Sequence, residues 1–143
     1  MERWEKNGYG VEEKDNGEKY SGEWKNGKRD GQGTYSFSEV SGKHNGRNLI
    51  MSGKYIGGFK DDLQHGLGVF YYDKVKSKGE ENLTNIRTIV ESVIGKINVN
   101  IIYYSDTTKV FIRKDGNLQE VHFDTVKIYL NNKYPNSELL KDL

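Results

Sequence analysis

The sequence predicts a mainly β fold, in which an elongated single-layer stack of β-hairpins is followed by a small α+β cap. Aromatic residues and glycines recur in one fixed pattern through the first half, whereas aliphatic residues at alternating and helical spacings fill the second. Hydrophobic residues make up 34% of the chain and charged residues 30%, a balance that suits a thin, solvated layer. We therefore expect a hairpin domain over residues 1–73 and an α+β domain over residues 74–143.

Two segments of the first half repeat the same pattern. Residues 20–35 read YSGEWKNGKRDGQGTY, and residues 55–70 read YIGGFKDDLQHGLGVF. An incomplete unit with Gly8 and Gly10 precedes them. Such recurrence is typical of repeat proteins, in which each unit needs its neighbours to bury its apolar face. The matching positions, to which we assign a structural role, are Tyr20, Gly22, Gly31, Gly33, Tyr35, Tyr55, Gly57, Gly66, Gly68 and Phe70, together with Trp24 and Phe59.

The spacing within a unit predicts a hairpin with one aromatic face. Tyr20 and Trp24 stand at positions i and i+4 with a glycine between them, so all three share one face of a strand. Asn26 and Gly27 favour the positive backbone angles of a tight turn. In the returning strand, the two glycines of Gly-x-Gly leave space for an aromatic ring of the adjacent unit to lie against the backbone.

These residues carry a resemblance to the MORN (membrane occupation and recognition nexus) family over residues 4–72, since the family motif runs Tyr-x-Gly-x-Trp/Phe and then Gly-x-Gly. His65 before Gly66 also fits the family pattern. The chain departs from it in the truncated first unit, in a long insertion, and in Asp62, which stands where the preceding unit has Gly27. The resemblance implies a single-layer stack of hairpins. Such stacks occur in scaffolds, membrane-associated proteins and enzyme appendages alike, so it does not imply one activity.

The insertion between the two complete units lies within residues 38–52 and is largely polar. The repeat does not require it, and long loops on a rigid scaffold often carry function, although a flexible excursion is the simpler alternative. Its basic side chains suit an acidic partner, and exposed ring edges on the hairpin face would add apolar contacts. The candidate partner-binding residues are Trp24, Lys43, His44, Arg47 and Phe59.

The second half begins with a basic connector and then changes its periodicity. Aliphatic residues at helical spacing predict an amphipathic helix over residues 83–97, with Asn82 or Thr84 as its cap. Alternating residues predict strands at 99–103 and 110–112.

The last part of the chain predicts a hairpin and a helix. Asp115 and Gly116 form a tight-turn signal that leads into a strand over residues 118–123. Residues 123–134 favour a final helix that ends near Pro135, although a strand through residues 126–130 also fits. Together these elements would cover the open edge of the hairpin stack, which would otherwise invite aggregation.

No motif in the sequence predicts catalysis, a metal site or a cofactor. The chain has no cysteine, and His44, His65 and His122 do not form an i, i+4 pair, so a zinc site is not expected. The turn carboxylates show no catalytic pairing, and the nucleophile motifs of hydrolases are missing. Because these motifs are missing, we expect that the protein is not an enzyme. The N-terminal MERWEKNGYG does not resemble a signal peptide, so we also expect a soluble, cytoplasmic protein.

The leading functional hypothesis is a non-catalytic protein-binding module. It would act as an adaptor or inhibitor, for example as an immunity or antitoxin protein or as an anti-defence protein of a mobile element. Its hairpin face and the 38–52 segment would contact another protein. Open hairpin edges also make a homodimer plausible.

Two alternatives involve other classes of ligand. Peripheral membrane binding to phospholipid is suggested by the family resemblance and by Lys74, Lys76 and Lys78, although the basic cluster is sparse. The second alternative is nucleic-acid or nucleotide binding by the C-terminal α+β part, although a net charge of +1 argues against it. The basic residues that such a ligand would meet are Lys109, Arg113 and Lys114.

Overall fold

The computed structural model describes residues 6–44, 47–77, 83–93, 95–103, 108–114 and 117–141. Within them nine strands form one antiparallel sheet, in which each strand pairs with the next along the chain. The strands are β1 (Gly8–Glu13), β2 (Lys19–Lys25), β3 (Lys28–His44), β4 (Arg47–Lys60), β5 (Leu63–Ser77), β6 (Leu83–Val93), β7 (Lys96–Tyr103), β8 (Thr108–Lys114) and β9 (Asn117–Glu120). Helix α1 (Phe123–Lys133) and a 3-10 turn (Glu138–Leu140) follow. The fold is therefore mainly β with a helical C-terminal part, as the sequence predicts.

The strand register aligns the repeat units into rows that cross the sheet. Gly33 pairs with Gly22 of its own unit and with Gly57 of the next. Gly57 in turn pairs with Gly68. The neighbouring row is aromatic and runs through Tyr20, Tyr35, Tyr55 and Phe70. The repeat pattern in the sequence therefore corresponds to two adjacent rows of the sheet, one of glycine and one of rings.

The two faces of the sheet bury different side chains. The face with the repeat aromatics, here called the repeat face, holds a cluster formed by Tyr20, Trp24, Tyr55, Phe59 and Val90. The opposite face, here called the helix face, is covered over its C-terminal strands by α1. The residues that form this second core are Leu67, Val69, Ile89, Val99, Ile101, Val110, Val126, Leu130 and Leu140. A single layer of strands thus separates an aromatic core from an aliphatic one.

The predicted helix over residues 83–97 is wrong, because this segment forms β6, a turn at Gly95 and the start of β7. Ile89 and Val90 are adjacent, yet both are buried, because Ile89 packs in the helix-face core and Val90 in the aromatic cluster. A strand that is buried on both faces carries consecutive apolar residues, which imitate helical spacing. β-Branched residues such as Ile89, Val90 and Thr88 also favour a strand.

The structure confirms the strands predicted at 99–103 and 110–112, which lie in β7 and β8. The turn predicted at Asp115 and Gly116 lies outside the described residues, as do Asn82 and Ile94. The strands on either side of that turn pair in antiparallel register, as a hairpin requires. The second strand, predicted over residues 118–123, ends at Glu120, because α1 begins at Phe123.

The predicted C-terminal helix is confirmed. The side chain of His122 caps α1 by accepting a hydrogen bond from the N–H of Asp124 over 3.3 Å. The helix ends at Lys133, shortly before Pro135, whose ring cannot continue it. The alternative strand through residues 126–130 is therefore wrong.

The insertion within residues 38–52 lengthens β3 and β4 instead of forming a loop. Val40 pairs with Met51, and pairing continues to His44 and Arg47. A β-bulge between Phe37 and Val40, with Glu39 at a φ of 53°, shifts the register where this extension begins. The extension is here called the arm. It stays extended because β5 is long enough to pair with it, up to Leu49 opposite Ser77.

The expected boundary at residue 73 falls inside β5, which pairs with β4 on one side and with β6 on the other. Hydrogen bonding between strands is therefore continuous from the repeats into the C-terminal part. The division of the chain into domains of residues 1–73 and 74–143 stays a prediction.

Candidate partner-binding site

The repeat tyrosines lie on glycines of their own unit. A Cβ atom built at Gly33 would come closer than 3.0 Å to the ring of Tyr20, and one built at Gly68 would meet Tyr55 in the same way. Both phenol groups are held by hydrogen bonds. The hydroxyl of Tyr20 donates to the carbonyl of Glu23 over 2.8 Å, and the hydroxyl of Tyr55 donates to the carbonyl of Gly58 over 3.0 Å. The expectation that the ring would come from the adjacent unit is wrong for these tyrosines. The ring and the glycine it covers belong to one hairpin.

Contacts between units use the second aromatic residue of the motif. The ring of Phe59 lies edge-on to that of Tyr20 in the preceding unit, with centroids 5.1 Å apart. Trp24 lies against Gly10 of the incomplete first unit and donates its indole N–H to the Gly10 carbonyl over 3.0 Å. Edge-to-face packing of this kind adds favourable quadrupole contacts to the burial of area. The two aromatic positions of the motif therefore make different contacts. The tyrosine packs on a glycine of its own hairpin, and the tryptophan or phenylalanine contacts the preceding hairpin.

A basic side chain reinforces the junction between the two complete units. The guanidinium group of Arg29 lies 5.8 Å from the ring centroid of Tyr20, 5.5 Å from that of Tyr35 and 5.3 Å from that of Phe59. It also donates to the carbonyl of Asp62 over 2.7 Å. Arg29 thus covers the rim of the aromatic cluster while it holds the turn of the next unit.

The repeat face carries a groove where the arm joins the repeats. This groove, here called the arm groove, has a volume of about 260 Å³ and is lined by Tyr35, Phe37, Val40, Met51, Gln64, Phe70 and Tyr72. Its rings pack on one another, with Phe70 and Tyr72 stacked at a centroid distance of 5.5 Å. Burial raises the pKa of Tyr72 to about 12. Helix α1 lies on the opposite face, so it does not cover this groove.

The predicted partner-binding residues fall into two groups. Trp24 and Phe59 are only 6% and 5% exposed, so both rings belong chiefly to the repeat core. Lys43, His44 and Arg47 lie at the far end of the arm strands, with His44 opposite Arg47, but their side chains lie outside the described residues. Their role in partner contact stays a prediction.

Of the residues that line the arm groove, only Tyr35 and Phe70 are named from the sequence, as repeat positions. Phe37 follows Tyr35 at i+2, and Tyr72 follows Phe70 at i+2, so the aromatic alternation continues beyond the motif. That signal was available in the sequence. Val40 and Met51 could not be found in the same way, because the β-bulge after Phe37 changes the alternation.

A buried carboxylate fixes α1 to the helix face. The side chain of Glu91 is fully buried on β6 and accepts hydrogen bonds from Tyr129 and Tyr134 over 2.7 Å each and from Asn98 over 2.9 Å. It also forms an ion pair with Lys133 at 2.9 Å. Burial alone would raise the pKa of Glu91, but these four donors outweigh it and hold the pKa below its usual range. The cluster positions a helix and does not resemble a catalytic pair.

The basic residues named for the alternative ligands are dispersed. Lys109 is exposed on β8, and Arg113 of the same strand donates its Nε hydrogen to the carbonyl of Ile97 over 2.8 Å. The side chain of Lys114 and all of Lys78 lie outside the described residues. Lys74 and Lys76 are exposed on β5. Among the described residues, no group of three or more His, Cys, Asp or Glu side chains could hold a metal ion. The helices in this part of the chain lack the length and hydropathy of a membrane-spanning segment.

Comparison with known proteins agrees with this geometry. The model of the MORN repeat family matches residues 20–39 and 55–74, which are the segments that form the two complete hairpins and the beginning of the arm. No curated protein matches the chain. MORN repeats generally serve to bind proteins or membranes and are non-catalytic. The stacked hairpins, the row of glycines and the family match together identify residues 20–39 and 55–74 of this chain as MORN repeats.

Proposed function

We propose that this chain is a non-catalytic adaptor or inhibitor that binds another protein through the arm groove and the arm. The observation that carries this proposal is the groove itself, a partly exposed row of aromatic, aliphatic and methionine side chains on a face that α1 does not cover. Aromatic residues and methionine are enriched in protein interfaces because they supply large contact areas.

The shape of the groove indicates what it accepts. A volume of about 260 Å³ is enough for one or two apolar side chains of a partner and smaller than a typical site for a drug-sized ligand. The floor is preformed, because Phe37 packs against the rings of Tyr35, Phe70 and Tyr72. A rigid aromatic floor loses little conformational entropy when it binds, which favours affinity.

The arm extends the contact surface beyond the groove. Long insertions on a rigid scaffold are common places for function, and the sequence of this one contains basic residues near its middle. Lys43, His44 and Arg47 are candidates for contact with acidic side chains at the rim of the interface. An inhibitor would combine the apolar anchor in the groove with such peripheral charges, which increase the association rate.

Affinity capture with the native host's proteome tests the proposal. The chain is immobilised as wild type, as Met51→Glu and as Ile50→Glu. Met51 lines the groove, whereas Ile50 is 46% exposed on the other face of the same strand, so the two variants add the same charge to opposite faces.

We expect wild type and Ile50→Glu to retain the same protein in stoichiometric amount, and Met51→Glu to retain at least tenfold less, because it places a charge in an apolar contact. Circular dichroism should show that both variants remain folded. Failure to recover any stoichiometric protein, or equal recovery with Met51→Glu, would contradict the proposal.

A further inference from the structure

Cations and tyrosines alternate across four strands of the helix face. Lys54 of β4 pairs with Tyr71 of β5, Tyr71 with Arg87 of β6, and Arg87 with Tyr103 of β7. Side chains at paired positions lie on the same face, and the contacts agree: Lys54 Nζ is 5.7 Å from the ring centroid of Tyr71, and the Arg87 guanidinium group is 4.4 Å from that of Tyr103. These four residues are here called the basic row.

The basic row lies beside the helix, with Lys54 and Tyr71 exposed, whereas Arg87 is half-buried and Tyr103 packs against the edge of the helix-face core. In the neighbouring row Val69 and Ile89 are buried under α1, only 2% and 3% exposed, whereas Tyr71 is 38% exposed. Lys54 is exposed as well, so this half of the row is open to solvent. The surface therefore combines a wall formed by the helix-face core with an exposed lysine and an exposed tyrosine ring.

The net charge of the chain conceals this local concentration. Although the whole chain carries only +1, the four residues of the basic row include two cations, Lys54 and Arg87, and no carboxylate. On the same strands, Asp73 lies two residues from Tyr71, and Glu91, four residues from Arg87, is buried and paired with Lys133. The row itself is therefore locally positive, which attracts anions.

We infer that the basic row binds single-stranded nucleic acid. Proteins that bind single strands without reading a sequence combine a positive surface that follows the phosphates with aromatic rings on which bases stack. The basic row contains both parts in alternation. Neighbouring strands lie about 4.8 Å apart, so the row is about 14 Å long and suits two or three nucleotides.

This site is separate from the proposed protein-binding site. The arm groove lies on the repeat face, whereas the basic row lies on the helix face of the same strands. Substitutions in one should therefore leave the other unchanged, and the two proposals can fail independently. A protein with both activities would bring a single-stranded nucleic acid and a partner protein onto opposite faces of one sheet.

Fluorescence anisotropy with a labelled 12-nucleotide oligothymidylate, measured from 20 to 200 mM salt, tests the inference. The variants are Lys54→Gln combined with Arg87→Gln, the single Tyr71→Ala, and Lys28→Gln as a control. Lys28 is exposed on β3, eight residues from Ser36. Since Ser36 pairs with Lys54, Lys28 lies about 26 Å from the row along the strand. An unlabelled duplex and phosphatidylserine vesicles are added as competitors.

We expect salt-dependent binding by wild type and Lys28→Gln. The double variant should bind at least tenfold more weakly and reduce the slope of log K against log salt by about 1.4, because each lost phosphate contact removes about 0.7. Tyr71→Ala should bind about fivefold to 100-fold more weakly through loss of a stacking platform. Thermal unfolding checks that the variants are folded, and Arg87→Lys should retain most of the affinity.

Any one of the following results would overturn the inference. These are absence of binding at 20 mM salt, binding that the three row substitutions leave unchanged in folded protein, and displacement of the oligonucleotide by vesicles at equal phosphate concentration. The last result would assign the basic row to an anionic membrane surface. Stronger competition by duplex than by single strand would also contradict it, because bases in a duplex cannot stack on Tyr71.

Discussion

Arg29 and Asp62 join the tight turns of the two MORN repeats, because the backbone N–H of each residue donates a hydrogen bond to the other residue. The N–H of Arg29 donates to the Asp62 carboxylate over 2.8 Å, and the N–H of Asp62 donates to the Arg29 carbonyl over 3.0 Å. Asp62 has a φ of 70°, close to the 78° of Gly27 at the equivalent position. Aspartate tolerates this conformation better than most residues, and its side chain adds an acceptor that glycine lacks. The departure from the repeat motif thus provides a link between units.

Replacing Asp62 should separate the backbone effect from the hydrogen bond. Asp62→Gly keeps the turn but loses the acceptor, and we expect a decrease of about 1 kcal/mol in the free energy of unfolding. Asp62→Ala loses the acceptor and also strains the backbone, so we expect it to lower the free energy of unfolding by about 2 kcal/mol. This value includes no contribution from the partly exposed ion pair between Asp62 and Arg29. Urea unfolding at neutral pH measures both values. Equal stability of the two variants would show that the positive φ is not required at this turn.

The buried Glu91 should make the protein sensitive to acid. Its pKa is depressed in the folded protein, so its contribution to stability is present above the pKa of the unfolded state and is lost as the pH falls through the folded pKa. Glu91→Ala should lower the free energy of unfolding by about 3 kcal/mol at pH 7, because it leaves Lys133 and two tyrosines without their acceptor. The difference between wild type and Glu91→Gln should shrink as the pH falls below about 4.3, the usual pKa of glutamate, and through the depressed pKa of the folded protein.

Glu138→Gln is the matched control for this acid series. Glu138 lies in the 3-10 turn that follows α1, and its side chain is 88% exposed beside Lys141. We therefore expect the substitution to change the free energy of unfolding by less than about 0.5 kcal/mol. Urea titrations at pH 7, 4 and 3 provide the comparison. An acid dependence of Glu91→Gln as steep as that of wild type would contradict the role given to Glu91.

Tyrosine ionisation should unfold the protein in base. Burial raises the pKa of four tyrosines to about 12: Tyr20, Tyr35, Tyr72 and Tyr134. Unfolded tyrosine ionises near pH 10, so the stability from these neutral phenols is complete below pH 10 and is lost as the pH rises toward 12. Absorbance at 295 nm and circular dichroism should therefore change together in this interval. Full ionisation near pH 10 with native circular dichroism would contradict the burial of these hydroxyl groups.

The repeat hairpins could be predicted from the sequence because their determinants are local. Tyr20, Gly22 and Trp24 lie on one strand, Asn26 and Gly27 form the turn, and each of these signals needs no knowledge of distant residues. The final helix was equally accessible, since its periodic residues and the proline after its end belong to one short segment.

The second half and the arm depended on contacts that one segment does not reveal. Ile89 and Val90 are buried by different partners on opposite faces, so their spacing alone could not distinguish a strand from a helix. Residues 38–52 are polar and form strands only because β5 is long enough to pair with them. The acceptor role of Glu91 likewise depends on Tyr129 and Tyr134, about forty residues away in sequence.

The central structural claim is that the ring of each repeat tyrosine occupies the space left by a glycine of its own hairpin. A double-mutant cycle between Tyr20 and Gly33, measured by urea unfolding, tests it most directly. We expect Gly33→Ala to cost about 3 kcal/mol in wild type, because the new methyl group displaces the ring. In a Tyr20→Ala background the same substitution should cost less than about 1 kcal/mol, because the ring is gone. Equal costs in the two backgrounds would contradict the account.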